Sequence, residues 1–300
     1  MATLRDIRRR IAGVKSTSKI TQAMKMVAAA KLRRAQDSIN AARPYARALE
    51  HLLKELLRSA SLEGARSPLL SGRSSDKDER VILIVVTSDR GLAGAFNSNL
   101  LKFTESRIRD LYQAHKDSGR LSIVPIGRRS TDYFTKRGYK IAAKYPGIFT
   151  KLEFDTARSI TLFVSDLYNR DEADRVELLF NEFRSVVSQR PIAERLMPVL
   201  DPSSFVEGKG EPERDYIFEP DPISILNVLV PRHLETMLWR ALLESNAAEQ
   251  GARMTAMDSA TRNARDLISA LQLTYNKARQ AAITKEILEI SGGAEALAKG

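Results

Sequence analysis

The chain has 300 residues, of which 28% are charged and 43% hydrophobic, a balance ordinary for one or two water-exposed domains. It contains no cysteine, which excludes disulfides, thiol catalysis and cysteine zinc sites. The formal net charge is +11, and residues 1–36 carry ten Lys and Arg against one acid, Asp6, so +9 of the excess sits at the N-terminus.

A helix is predicted from an N-cap at Thr3 to about Ser59. Apolar residues recur at alternating steps of three and four through Leu4, Ile7, Ile11, Val14, Ser18, Thr21, Lys25, Ala28, Leu32, Ala35, Ile39, Ala42, Ala46, Leu49, Leu53 and Leu56. Only Ser18, Thr21 and Lys25 break the pattern, so the register of a coiled-coil seam is unbroken. Such a helix would be roughly 80 Å long. Pro44 lies inside it and predicts a kink, because it has no N–H to offer Asn40. The basic N-terminus also has the composition of an organellar transit peptide, but the seam runs through it without a change of register. A secretory signal is excluded by the lack of an apolar run after Met1.

Residues 60–80, rich in Gly, Ser and Pro, read as a linker. Val81–Val86 is a continuous aliphatic run, predicting a strand buried on both faces and far too short to cross a bilayer. Helical spacing follows over 97–114, then a strand at 121–126, a helix at 130–137, a helix at 157–168 and a strand at 176–180. Residues 191–199 offer one more strand. This alternation argues for a parallel α/β sheet with helices on its faces, filling 81–200. Residues 201–222 hold four prolines among acids and read as a second linker. Asp221 and Pro222 then form an N-cap and first-turn pair for a helix over 223–291, interrupted early by Pro231. Its seam is read as Ala260, Ala264, Leu267, Leu271, Thr274, Ala278, Ala281, Lys285 and Leu288, and 292–300 as a tail. Neither long helix can hide its stripe alone, so the two are expected to wind around each other antiparallel, with Leu32 and Ile39 facing the second helix. The C-terminal helix is expected to project beyond its partner from about Ile287.

Chemistry is hard to find. His51, His115 and His233 are scattered and read as packing or surface residues. The loop TSDRGLAGAF after the first strand has Gly91 and Gly94, but neither a dinucleotide fingerprint nor a phosphate-loop motif, and is read as turn chemistry. Only Asp89 and Arg90 could begin a polar site there. The basic N-terminus lacks aromatics and shares its helix with the seam, which argues against nucleic acid. No catalytic residue, cofactor or metal site is assigned.

Specific motifs then go further. ITQAMKMVAAAKLRRAQ (20–36), ARMTAMDSATRNARDLI (252–268), LTYNKARQAAITKEILEISGGAEA (273–296), TSDRGLAGAFN and DYIFEPDP (215–222) resemble the γ subunits of F-type ATP synthases, in order and over nearly the whole chain. The chain departs from that family at Ala248, Glu249 and Gln250, where a Ser-Glu-His triplet is usual. The resemblance implies a long antiparallel coiled coil of the terminal helices with an inserted Rossmann-like α/β domain. It implies a non-catalytic rotor shaft, with three α and three β subunits around it and an ε subunit and c ring at its foot, held at the cytoplasmic face of a bacterial plasma membrane without a span of its own. By the same resemblance Met24, Lys25, Arg279 and Gln280 would contact β subunits. Ile283, Thr284, Glu286, Glu289, Gly293 and Ala294 form the closing motif, and Tyr216 and Glu219 would lie at the foot. The alternatives on the residues alone are a coiled-coil adaptor carrying a degenerate Rossmann-like domain, or an enzyme using that domain.

Overall fold

The computed structural model describes residues 3–59, 68–71, 79–199 and 218–299. In chain order the elements are α1 (Leu4–Ser59), α2 (Pro68–Ser71), β1 (Val81–Val86), α3 (Phe96–Leu111), α4 (Gln113–Asp117), β2 (Leu121–Ile126), α5 (Arg128–Lys136), α6 (Phe154–Asn169), β3 (Arg175–Phe183), β4 (Gln189–Met197) and α7 (Pro222–Lys299). The chain divides into two compact units, one of residues 1–28 with 253–300 and the other of 29–252. Each long helix contributes to both.

In the larger unit the four strands pair in the order β2-β1-β3-β4. β1 runs parallel to β2 and to β3, while β4 runs antiparallel to β3. The wholly parallel sheet expected from the alternation is therefore corrected at its edge. Only Arg184–Ser188 separates β3 from β4, far too little chain for the crossover that a parallel neighbour requires. All six residues of β1 are buried, which fits a strand flanked on both sides and covered on both faces. One face packs on α3 and α5 through Leu100, Ile108 and Phe134. The other packs on α6 and on the helices α1 and α7, through Ile160, Val164, Leu53, Leu56, Leu234, Leu238 and Leu242.

Several expectations need adjustment here. Residues 60–80 are not only a linker, because α2 lies within them and buries Leu69 and Leu70 in the core. The helix expected over 97–114 breaks at Tyr112, between α3 and α4. α7 passes through Pro231 without ending. The missing N–H removes one bond of the ladder, and the packing of Val230 and Leu234, both buried on either side of it, outweighs that loss. α7 also continues to Lys299, where a tail was expected from 292. Two glycines cost about 1 kcal/mol each in a helix, but no proline follows them. The start of α7 is as read: Asp221 accepts from the Ser224 N–H (2.9 Å) and hydroxyl (2.6 Å).

Candidate partner-contact surface

The smaller unit is built from the first turns of α1 and the last turns of α7. α1 opens on a reciprocal cap: the Asp6 N–H donates to the Thr3 hydroxyl (3.2 Å), and the Asp6 carboxylate accepts from the Thr3 N–H (3.2 Å) and hydroxyl (2.6 Å). Those bonds hold the Asp6 carboxyl below its usual pKa, the Thr3 hydroxyl contributing most. Along α1 every seam position from Leu4 to Ala28 is buried or half-buried.

Three cross-helix contacts set the pairing. The Arg8 guanidinium donates to the Tyr275 hydroxyl (2.6 Å), the Thr21 and Thr261 hydroxyls bond each other (2.7 Å), and the Lys25 ammonium donates to the Asp258 carboxylate (2.5 Å). Residue numbers rise on one helix as they fall on the other, so the helices are antiparallel.

The α7 seam is not the one expected. From Thr261 on, its buried and half-buried positions are Thr261, Ala264, Ile268, Leu271, Tyr275 and Ala278, whereas Leu267, Thr274, Ala281, Lys285 and Leu288 are exposed. Ala264, Leu271 and Ala278 belong to both patterns, but the residues between them are Ile268 and Tyr275 rather than Leu267 and Thr274. At 275 the choice is physical, since a tyrosine ring brings more apolar surface to the seam than the threonine beside it; Leu267 and Ile268 do not differ in that respect.

Beyond Ala278 no residue through Ala294 is buried. The two-helix pairing gives out about eight residues sooner than expected, at Arg279 rather than near Ile287. Arg279, Gln280, Thr284, Glu286, Glu289, Gly293 and Ala294 are all exposed, as are Ile283, Ile287, Leu288 and Ile290. Glu289 makes an ion pair with Lys285 at 3.5 Å, one turn back on the same helix. Four exposed isoleucine and leucine side chains within one helical end are unusual on a protein that works alone.

Among the other residues singled out, Met24 is half-buried and Lys25 is taken up by Asp258 inside the chain, its side chain only 39% exposed. Met24 and Lys25 are therefore brought into the coil, apart from the exposed stretch that holds Arg279 and Gln280. Glu219 is exposed at the entry to α7, and Tyr216 lies outside the described residues. Of the ten basic residues in 1–36, all except Lys25 are exposed.

In the larger unit, the place where an α/β sheet would bind a nucleotide is outside the carboxyl ends of its parallel strands. There the Ser245 hydroxyl reaches the Val86 carbonyl (3.5 Å), and Ala248 and Ala252 of α7 pack on Ala93, Phe96 and Phe183. The α7 backbone fills that crevice. Asp89 is spent on the loops: its carboxylate accepts from the N–H groups of Arg128 (2.9 Å), Gly147 (2.6 Å) and Phe149 (3.1 Å). The start of α5 is likewise occupied, with the Ser130 N–H donating to the Thr87 hydroxyl at 2.8 Å. This close approach requires glycine at 127, where φ is +90 and a Cβ would meet the Thr87 carbonyl oxygen at 2.1 Å. A feature that sequence reasoning missed is Leu92, 65% exposed at a φ of 64 and near the exposed Arg90. A left-handed leucine that buries little is a local cost kept for some reason other than packing. Among the described residues no group of His, Asp and Glu could hold a metal ion, and no helix is long and apolar enough to cross a membrane.

A covered sheet crevice, a two-helix coil and an exposed helical end define a class: a protein of long paired terminal helices with an α/β domain between them in sequence. A family model described as ATP synthase matches residues 3–297. The chain is 52% identical to the ATP synthase gamma chains of Chloroherpeton thalassium and of Chlorobium phaeobacteroides, over 99% of this chain and of each relative. It is similar in fold to a chain of the Euglena gracilis mitochondrial ATP synthase (TM-score 0.67, 21% identity, covering 98% of this chain and 94% of that one). It also resembles a chain of the Tetrahymena thermophila mitochondrial ATP synthase central stalk and c ring (TM-score 0.60, 23% identity, 80% and 99% covered). The chain belongs to the ATP synthase γ-chain family.

Proposed function

We propose that this chain is the central rotor shaft of an F-type ATP synthase and performs no chemistry itself. The observation that carries the reading is the stretch of α7 from Arg279 to Ala294, helical and wholly exposed, in a chain that matches γ chains from end to end. A ring of three α and three β subunits would enclose this end, and the exposed Ile283, Ile287 and Ile290 would run in an apolar sleeve. An asymmetric helix inside a ring of identical β subunits makes a different contact with each one. Each contact favours a different β conformation and hence a different affinity for nucleotide. Turning the shaft passes every β subunit through all of them.

Arg279 and Gln280 stand where the coil becomes a single helix, free for a polar contact with a β subunit. The exposed basic residues of α1, with Arg90, Arg128 and Arg129 near the strained Leu92, suit acidic partner surfaces. Screened, exposed charges of this kind can be passed between partners without trapping the rotor. Lys25 contributes to such contacts only if its bond to Asp258 opens. At the other end Glu219, with Tyr216, would meet an ε subunit and c ring, keeping the chain at the cytoplasmic face of a bacterial plasma membrane.

The test is reconstitution with α and β subunits. The free chain should hydrolyse no ATP, and the complex should. Arg279→Ala and Gln280→Ala should lower steady-state hydrolysis on the order of tenfold, the scale of one charge-assisted hydrogen bond. Melting of the free chain should shift by no more than about 0.5 kcal/mol. Turnover equal to wild type would remove both residues from the contact.

A further inference from the structure

We propose that Arg8 and Tyr275 form a clasp that fixes the pose in which α7 leaves α1, and that Tyr275 is thereby a positioning residue for Arg279. The proposal rests on the β-subunit contact assigned above to Arg279.

Tyr275 is half-buried on the α7 seam, and among the described side chains after it the only one that is not exposed is the small Ala278. It is therefore the last large side chain by which α1 can hold α7. Its ring is gripped twice. The Arg8 Nη2 donates to the hydroxyl at 2.6 Å, and the guanidinium carbon lies 5.5 Å from the ring centroid, within range of a cation–π attraction.

α1 is firm at this level for reasons of its own. Ile7, next to Arg8, is 6% exposed, and the Thr3–Asp6 cap closes the helix one turn earlier. Arg279 stands four residues beyond Tyr275, so the two lie on one face of α7 a single turn apart. A change in how Tyr275 sits on α1 is thus carried to Arg279 with no large side chain between them to absorb it. An uncovered helix of about twenty residues is otherwise only marginally ordered in water, which makes the last anchored residue decisive for the direction of the helix beyond it.

The pair can be opened without removing the ring. In the free full-length chain, Tyr275→Phe and Arg8→Ala should each speed amide exchange over residues 5–11 by roughly fivefold, the loss of one hydrogen bond, and leave β1 unchanged. In the complex reconstituted with α and β subunits, Tyr275→Phe should lower ATP turnover in the presence of Arg279 and have no further effect in the Arg279→Ala background. Unchanged exchange would show that no clasp exists. A Tyr275→Phe loss that persists undiminished in Arg279→Ala would overturn the positioning role, since Tyr275 would then act by another route. If Arg279→Ala itself turns over like wild type, the β contact fails and the positioning role fails with it, while the exchange measurement still decides the clasp.

Discussion

Glu177 sits in the middle of β3, 2% exposed, where a charge would be costly if unpaired. It accepts two hydrogen bonds from the Arg107 guanidinium (2.6 and 2.9 Å) and one from the Tyr112 hydroxyl (2.5 Å). Burial alone would raise its pKa, but the Arg107 and Tyr112 bonds outweigh burial and hold it below the usual carboxylate value. Burial and the same bond push the Tyr112 hydroxyl well above its ordinary range. Because the folded pKa is depressed, this carboxylate's stabilisation is fully present above about pH 4.5 and is lost as the pH falls through the folded value. Arg107→Ala leaves the carboxylate without its cation and is expected to cost about 3–5 kcal/mol at pH 7, with a smaller difference from wild type at pH 3; urea melts at the two pH values would measure it. The sequence marks residues 176–180 as a strand but cannot show this pairing. Arg107 is seventy residues away, on a helix whose rotation is fixed only by the folded core.

At the scale of elements, strands and helices were legible where periodicity was strong, as in β1, β2 and the whole seam of α1. The phase of the α7 seam was not, because small residues occupy both candidate stripes and Ala264, Leu271 and Ala278 fit either. The partner decides between them, through Thr261 meeting Thr21 and Tyr275 meeting Arg8. Likewise the antiparallel turn into β4 and the continuity of α7 through Pro231 depend on packing that no local window contains. The small residues of α7 have a further consequence where the helix crosses the carboxyl ends of the sheet. Ala248 is fully buried against Ala93, Phe96 and Phe183, and Gly251 has room for a Cβ only at 3.4 Å from the Phe183 ring and the Val186 carbonyl. Ala248→Leu must overpack this contact and is expected to destabilise the chain by about 1–3 kcal/mol. An exposed alanine on the same helix, Ala270→Leu, should change stability by less than about 0.5 kcal/mol; equal melting curves for the two would mean that the sheet is not seated on α7 as described.

For the whole molecule, the candidate contact surface was only partly readable. The residues of the closing motif and Arg279 with Gln280 were identified by resemblance, while the exposure that makes them available comes from where α1 begins. Leu4 starts α1 one cap after Thr3, and among the described residues none covers α7 from Arg279 to Ala294. The physics of an unpaired helix then sets a sharp expectation. The twenty or so residues beyond Ala278 would form a helix of about 30 Å, stabilised by backbone propensity, by the Lys285–Glu289 pair at a few tenths of a kcal/mol, and by its continuity with the coil, against two glycines at 292 and 293. Without a buried face such a segment is marginal in water. In the free chain, amides from about 281 to 294 should therefore exchange within a small factor of unstructured peptide, whereas those near Ile268 and Leu271 stay protected. Truncation after Ala278 should leave the melting temperature within about 2 °C of the intact chain, because every described side chain it removes is exposed. On reconstitution with α and β subunits the same amides should slow by orders of magnitude, since enclosure supplies the buried face that the free helix lacks. Strong protection of 281–294 in the free chain would mean that these residues already have a partner within it, and fast exchange in the assembled complex would place them outside the ring.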